Sequence, residues 1–461
     1  MDLLEFNNLS FTYDKAADAI FSDISLRFYR GWTGVAGRSG AGKTTLAKLI
    51  MRSAATFAYY APQQTDDAPE NLERFTSAAD KDAILLRDRL KIGGDWSRRW
   101  DSLSHGERKR AQIAAALYAN PRLLIADEPT NHLDGETKAF LTNALKRYDG
   151  FGLLISHDRE LLDELCKRTI FIENGGLDMR DRAYSVAAGE RERERRGAIK
   201  RRDLQSKEIK KLERLTQTRR EKAEQSDKHL SKRGLSAKDS DARERIGRAI
   251  VSGKDASDTK ILSRLQSRLR QAKSRLESAP NAGAIGVTIE AGRYPKLFPI
   301  AFENAREIGT HSRVGITGRN GSGKSRFVDS FAKSRVWERG ELLYLPQEIK
   351  LGEAALTLKS VQTMKNDEKG FIMSLIARLG SDPKALLQSA QPSLGETRKI
   401  MLALGLLAQP AIVVMDEPTN HLDIASIEAL ENALKAYNGA LLLVSHDQRF
   451  LSALTDEIWR F

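Results

Sequence analysis

Two glycine-rich segments, GRSGAGKTT at Gly37–Thr45 and GRNGSGKSR at Gly318–Arg326, carry the residue types that cradle a polyphosphate. Each fits the pattern G-x-x-x-x-G-K-[ST]. Backbone N–H groups of the turn wrap the phosphates, the lysine neutralises the outer ones, and the hydroxyl that follows can ligate Mg²⁺. The candidate phosphate-binding residues are therefore Gly37, Arg38, Ser39, Gly40, Ala41, Gly42, Lys43, Thr44 and Thr45, and Gly318, Arg319, Asn320, Gly321, Ser322, Gly323, Lys324, Ser325 and Arg326. Strand-like TGVAG and RVGITG precede the loops, and TTLAKLIM and SRFVDSFA follow with helical apolar spacing. A helix N-terminus thus adds its own attraction for anions at each loop.

A second duplicated feature is a pair of carboxylates at the end of an apolar run, RLLIADE and AIVVMDE. Asp127 and Asp416 can hold Mg²⁺ through its water shell, and Glu128 and Glu417 can polarise the water that attacks a terminal phosphate. His157 and His446 follow the next apolar run in SHD, where a neutral imidazole can bridge phosphate, water and a neighbouring domain. Gln63 and Gln347 end YYAPQ and LYLPQ, where an amide can complete the metal shell or the water network. Thr44, Gln63, Asp127, Ser325, Gln347 and Asp416 form the expected metal set.

These residues sit in a duplicated framework. Lys43 and Lys324 lie 281 residues apart, and DSLSHGERKRAQIAAAL is answered by PSLGETRKIMLALGLL. Gly106 to Asp127 and Gly395 to Asp416 are both 21 residues, and Glu128 to His157 and Glu417 to His446 are both 29. Short apolar runs alternate with helical patterns in each half, which predicts α/β domains with a buried, largely parallel sheet. The chemistry-bearing residues follow the strands, at the edge where open α/β sheets bind ligands. Two domains result, over residues 1–184 and 283–461, with a linker over 185–282.

The linker differs in kind. Residues 190–280 hold 28 Lys and Arg against 15 Asp and Glu, an excess that equals the net +13 of the whole chain; the remainder is balanced at 47 of each. Such asymmetry points to a polyanionic partner for this segment alone. Leu262, Leu265, Leu269, Ala272 and Leu276 step by three and four, with Ile209, Leu212 and Leu215 as a weaker stripe, so an antiparallel helical hairpin is expected. A helix of some 35 residues would be about 50 Å long. Its basic tip, about residues 228–258, offers Lys228, Lys232, Arg233, Lys238, Arg243, Arg245, Arg248 and Lys254 as nucleic-acid contacts. The segment has no Phe, Tyr or Trp, so backbone and shape contacts are expected rather than base stacking. No run approaches the length of a membrane span, the N-terminus lacks a signal pattern, and the single Cys166 excludes an internal disulfide. A cytoplasmic protein is expected.

In this order, twice over, the elements resemble the Walker A, Q-loop, signature, Walker B, D-loop and H-loop of the ATP-binding cassette superfamily. The resemblance implies ATP and Mg²⁺ as cofactors and an ATPase. It implies signatures at Leu103, Ser104, His105, Gly106 and Glu107 and at Pro392, Ser393, Leu394, Gly395 and Glu396, with His105 and Leu394 where the family carries glycine. Tyr13 is similar to the aromatic that stacks on adenine, with a place in the core as the alternative, and Tyr294 is its counterpart in the second half. By the same resemblance the halves pack head to tail, so ATP on Lys43 faces Ser393 and ATP on Lys324 faces Ser104.

DEPTNHLD in both halves, no transmembrane region and the charged linker narrow the resemblance to the ABC-F family. That implies a monomer with an intramolecular cassette pair and no transmembrane subunit. It implies a partner in the ribosome, with the linker near rRNA and tRNA, as translation factor or antibiotic-resistance protein. Only 40 residues separate Gln63 from Ser104, so the family's arm insertion is not expected, nor is its C-terminal DNA-binding coiled coil. The alternatives are a DNA-repair-type ATPase and the ATPase subunit of a membrane transporter.

Overall fold

The computed structural model describes residues 3–13, 19–131, 133–173, 175–230, 254–277, 300–302, 306–334, 337, 340–348, 351–383, 386 and 392–461. The chain forms two compact units, residues 1–187 with 285–461, and residues 188–284.

The first unit holds two α/β halves. In the N-terminal half, β1 (Leu3–Phe11) and β2 (Phe21–Tyr29) make an antiparallel pair. The main sheet contains β3 (Gly31–Gly37), β4 (Ala58–Ala61), β5 (Leu123–Asp127), β6 (Phe151–Ile155), β7 (Cys166–Glu173) and β8 (Gly176–Arg180) in the order β4-β5-β6-β3-β7-β8. All its pairings are parallel except β7 with β8. In the C-terminal half, β9 (Ile300–Phe302) pairs with β10 (Arg306–Ile308). There β11 (Arg313–Thr317), β12 (Leu342–Leu345), β13 (Ile412–Asp416), β14 (Ala440–Val444) and β15 (Glu457–Arg460) form a wholly parallel sheet in the order β12-β13-β14-β11-β15.

The central strands β5, β6, β13 and β14 are buried at every position. Continuous apolar runs with helices on both faces demand this, and alternation would have left one face wet. Register does the positioning. Asp127 pairs with Ile155 and Val35 pairs with Ile155, so the ends of β3, β5 and β6 lie side by side. Asp416 opposite Val444 repeats the arrangement.

The second unit contains most of a helix, Tyr184–Leu230, and a second helix, Lys254–Glu277. The first has 47 residues rather than the expected 35 or so, about 70 Å at 1.5 Å per residue. An ion pair from Lys273 to Glu213 at 2.8 Å joins the two. On the second helix Leu262, Leu265, Leu269 and Ala272 are half-buried among exposed neighbours, as the stripe predicts. On the first, Ile209 and Leu212 are buried but Leu215 is 45% exposed, and Thr216 takes its place on the buried face. A period near 3.6 carries the stripe from 212 to 216 rather than to 215.

Candidate functional site

Each phosphate loop turns into its helix through a glycine in the left-handed region, Gly42 at φ 98° and Gly323 at φ 97°, where a side chain would be strained. The helices begin at Lys43 and Lys324. Lys43 Nζ donates to the carbonyls of Gly37 (2.9 Å) and Arg38 (3.0 Å), and Lys324 Nζ to those of Gly318 (2.8 Å) and Arg319 (2.6 Å). Burial lowers the pKa of both ammonium groups, and nearby carboxylates oppose the shift. Tyr13 lies beside the first loop: the residue is 53% exposed, and its hydroxyl is 2.9 Å from Thr45 Oγ1. Tyr294 lies outside the described residues.

Asp127 and Glu128 follow directly along β5, yet Glu128 turns sharply to φ 48°, and Glu417 repeats the turn at φ 46°. A glutamate in this region costs on the order of 1 kcal/mol and persists only when its surroundings fix it. What fixes it is visible. The Glu128 amide donates to Ile155 O at 2.8 Å and that of Glu417 to Val444 O at 2.9 Å. The His157 amide donates to Glu128 Oε2 at 3.2 Å, with its ring Nε2 3.3 Å from Oε1; His446 repeats these contacts to Glu417 at 3.4 and 3.6 Å. Burial pushes the Glu417 carboxyl up to about 8, with Asp416 adding to the rise, and raises that of Glu128 likewise. Burial, with the adjacent lysine second, lowers His157 to about 3 and His446 to about 4, so both imidazoles are neutral at pH 7.

The hydroxyls and amides expected around a metal also converge. Thr44 Oγ1 and Tyr60 Oη both donate to Asp127 Oδ2 at 3.0 Å. Gln63 lines a cavity of about 520 Å³ with Thr44, Lys48, Tyr60, Asp127 and, from the other half, His421. His105 lines it too. In the second half Ser325 Oγ lies 3.3 Å from Gln347 Oε1 and within hydrogen-bond reach of Asp416, so its one proton serves either acceptor. Asp416 Oδ1, Glu417 Oε1 and Glu128 Oε1 are buried with no hydrogen-bond partner among the described residues. Such orphaned oxygens fit a hydrated cation, and an all-oxygen set with few carboxylates fits Mg²⁺.

The signature serines cap helices despite the substituted glycines. Ser104 precedes the helix His105–Tyr118 and Ser393 the helix Leu394–Leu407, each in a reciprocal capping box with Glu107 or Glu396. Gly106 and Gly395 differ in freedom: a Cβ would meet Leu133 Cδ2 at 3.4 Å at the first, but the His421 carbonyl at 2.5 Å at the second.

The two halves meet at these loops. Ser39 N donates to Asp423 Oδ2 at 2.7 Å, and Asn320 N to Asp134 Oδ2 at 3.3 Å. The other oxygen of each aspartate caps its own helix, Asp134 Oδ1 from Thr137 N (2.9 Å) and Asp423 Oδ1 from Ser426 N (2.8 Å). One carboxylate thus joins a helix start to the opposite phosphate loop. Arg319 pairs with Glu136, and His446 Nε2 lies 3.1 Å from Asn320 Oδ1. A cavity of about 620 Å³ is walled by Lys324, Gln347, Glu417 and His446 of the second half and by Asn131, Leu133 and His157 of the first. Asp134 and Asp423 were not among the sequence candidates, although they end the duplicated DEPTNHLD; their partners lie 186 and 384 residues away, beyond any local pattern. Lys109 and Arg398, at matching repeat positions, belong to no local motif either.

Of the candidate nucleic-acid contacts, Lys232, Arg233, Lys238, Arg243, Arg245 and Arg248 lie outside the described residues, and Lys228 and Lys254 are placed only as helical positions. Among the described residues no helix is long and apolar enough to cross a membrane.

A nucleotide-binding cassette is what these loops, strands and capped helices define, present twice. The family model described as "ABC transporter" matches residues 54–131 and 305–420. The ribosome protection protein VmlR of Bacillus subtilis is 28% identical over 99% of this chain and 86% of its own length. The tylosin resistance ATP-binding protein TlrC of Streptomyces fradiae is 31% identical over 78% of this chain and 68% of its own. ABC transporter F family member 4 of Arabidopsis thaliana is 28% identical over 77% of this chain and 51% of its own length. The archaeal ribosome recycling factor aABCE1, solved with the archaeal ribosomal stalk protein aP1, shares the fold at a TM-score of 0.58. Its identity is 17%, covering 98% of this chain and 87% of that one. The chain belongs to the ABC-F family of ATP-binding cassette proteins and is an ATPase with two ATP-binding cassettes.

Proposed function

We propose that the protein is a cytoplasmic, monomeric ribosome-binding ATPase in which ATP closes the two cassettes and so places the basic linker against rRNA and tRNA. The observation that carries it is the charge map: the whole excess of +13 lies in residues 190–280. Neutralising many phosphates with lysine and arginine gives strong, salt-sensitive binding to a ribonucleoprotein. The names of VmlR and TlrC support action on the ribosome as protection against an antibiotic. Residues 1–184 and 283–461 would be the cassettes and 185–282 the linker.

Each triphosphate would lie on one phosphate loop, with Lys43 or Lys324 swinging from its loop carbonyls to the outer phosphates. The N–H groups at the start of the opposite signature helix, behind Ser393 or Ser104, would cover its other side. Tyr13 would stack on one adenine. Because both halves hold the nucleotide only when shut, ATP favours the shut state by that differential affinity, and hydrolysis removes the preference. Thr44, Gln63 and Asp127, or Ser325, Gln347 and Asp416, would hold Mg²⁺, which when bound neutralises charge developing on the phosphates. Glu128 and Glu417 would orient and polarise the attacking water, fixed by the backbone turn and the histidine amides behind them. His157 and His446, held neutral, would bridge that water and the terminal phosphate.

Sucrose-gradient sedimentation with ATP tests the reading. Glu128→Gln with Glu417→Gln should trap the ATP-loaded form on ribosomes; a double variant that stays in the ribosome-free fractions with ATP bound refutes it. Inhibitor tolerance of translation with and without the protein then separates drug protection from a general translation role.

A further inference from the structure

Five residues after each signature serine stands a cation whose side chain is buried, Lys109 at 0% exposure and Arg398 at 3%. Both spend their donors on backbone carbonyls. Lys109 Nζ donates to Pro62 O (2.8 Å), Gln63 O (2.9 Å) and Gln112 Oε1 (3.0 Å), while Gln112 Nε2 reaches Gln64 O (3.2 Å). Three consecutive carbonyls of the glutamine loop are thereby fastened to the signature helix. In the second half the residue matching Gln112 is Met401, which cannot donate. There Arg398 reaches Pro346 O (3.0 Å) and Gln347 O (2.8 Å), and also Glu417 O (2.6 Å) and Asn420 O (3.2 Å).

Two different donor sets thus meet one requirement, a rigid tie between glutamine loop and signature helix. Stability alone does not call for it, since the cost of desolvating a buried cation offsets much of what its bonds to carbonyls contribute. What the tie joins is telling. The glutamine loop serves the nucleotide of its own half; on the head-to-tail reading, on which this inference rests, the signature helix serves the nucleotide of the other.

We propose that Lys109 and Arg398 are positioning residues that couple the two nucleotide sites, each making the glutamine loop of one site and the signature helix of the other move as one piece. Nucleotide at Lys43 sets Gln63, and through Lys109 it sets the helix start offered to nucleotide at Lys324. Arg398 does the same in reverse and also draws in the backbone of Glu417, so the second site is the more tightly tied.

The test uses the full chain with Mg²⁺ and trinitrophenyl-ATP as the fluorescent probe. Lys43→Ala and Lys324→Ala each leave one site, and comparing their affinities with the two-site isotherm of the unaltered chain gives a coupling factor. That factor is expected to be about 10, within the ordinary range for linked sites. Lys109→Met should bring it within about twofold of one, and Lys109→Arg should keep it. A folded Lys109→Met chain that retains the original factor overturns the proposal. If Lys109→Met does not fold, Gln112→Met removes only the tie to Gln64; it should lower the factor at least about twofold, and no change refutes the coupling. A factor of one in the unaltered chain would instead sink the head-to-tail reading beneath it.

Discussion

Replacing Arg159 by methionine should make the cassettes much harder to shut. Arg159, on the helix Arg159–Leu165 of the first half, is 3% exposed, pairs with Glu431 of the second and lies 3.5 Å from Asp447. Burial raises the pKa of Asp447 and Glu428, and Arg159 pulls both back down. Without it, closure buries three carboxylates, and Arg449, the other cation acting on Glu428, already donates to Ser185 Oγ at 2.8 Å and lies 3.6 Å from Asp163. Removing one partner of a buried pair costs about 3–5 kcal/mol. The open form lets the carboxylates hydrate, so the penalty falls on closure. At 1.4 kcal/mol per decade, even about 3 kcal/mol lowers the closure constant roughly 100-fold, and because two nucleotides drive closure together the ATP needed for half-closure rises roughly 10-fold. Fluorescence energy transfer between dyes on the two cassettes, titrated with ATP in a hydrolysis-deficient background, reads this directly. The charge argument also requires rescue: Arg159→Met with Glu431→Gln should cost clearly less than the two single changes added. An unchanged midpoint in Arg159→Met, or full additivity in the pair, would show that the interface does not depend on this ion pair.

Asp423→Ala removes both a helix cap and the bond to Ser39 N. It should lower thermal stability by about 1 kcal/mol as a lost cap and slow ATP turnover more than Asp423→Asn does. Gly395→Ala forces a Cβ to 2.5 Å from the His421 carbonyl, whereas Gly106→Ala makes an ordinary contact; unfolding midpoints should show about 1–3 kcal/mol lost in the first and little in the second. His446 titrates near 4 in the folded chain against 6.5 unfolded, because burial disfavours its charged form. Its contribution to stability is therefore intact above pH 6.5 and lost as pH falls towards 4, about 3 kcal/mol in all, and nucleotide-free His446→Gln should show a correspondingly flatter acid limb in urea titrations. Neutralising Lys232, Arg233, Arg243 and Arg245 together should weaken ribosome binding and flatten its salt dependence while leaving unfolding unchanged; unaltered sedimentation would make the linker a spacer.

What could be read from the sequence was whatever one half records by itself. The phosphate loops, the strand-ending carboxylates and the signature caps are each set by a few neighbouring residues, and duplication doubled the signal. Even the substituted His105 and Leu394 left the caps intact, because a capping box needs only Ser104 with Glu107, or Ser393 with Glu396. The stripe Leu262–Leu265–Leu269–Ala272 was equally local, and the misplacement of Leu215 came from counting by three where the helix period calls for four. What escaped were the direct contacts between the halves: Asp134 at Asn320, Asp423 at Ser39, Arg159 at Glu431 and Asp447. Each already does a local job, capping or opening a helix, that accounts for its residue type. A residue with two jobs shows only the nearer one in a single sequence. The contacts that bind one cassette to the other are for that reason the least legible part of the site, and the part on which the proposed closure by ATP most depends.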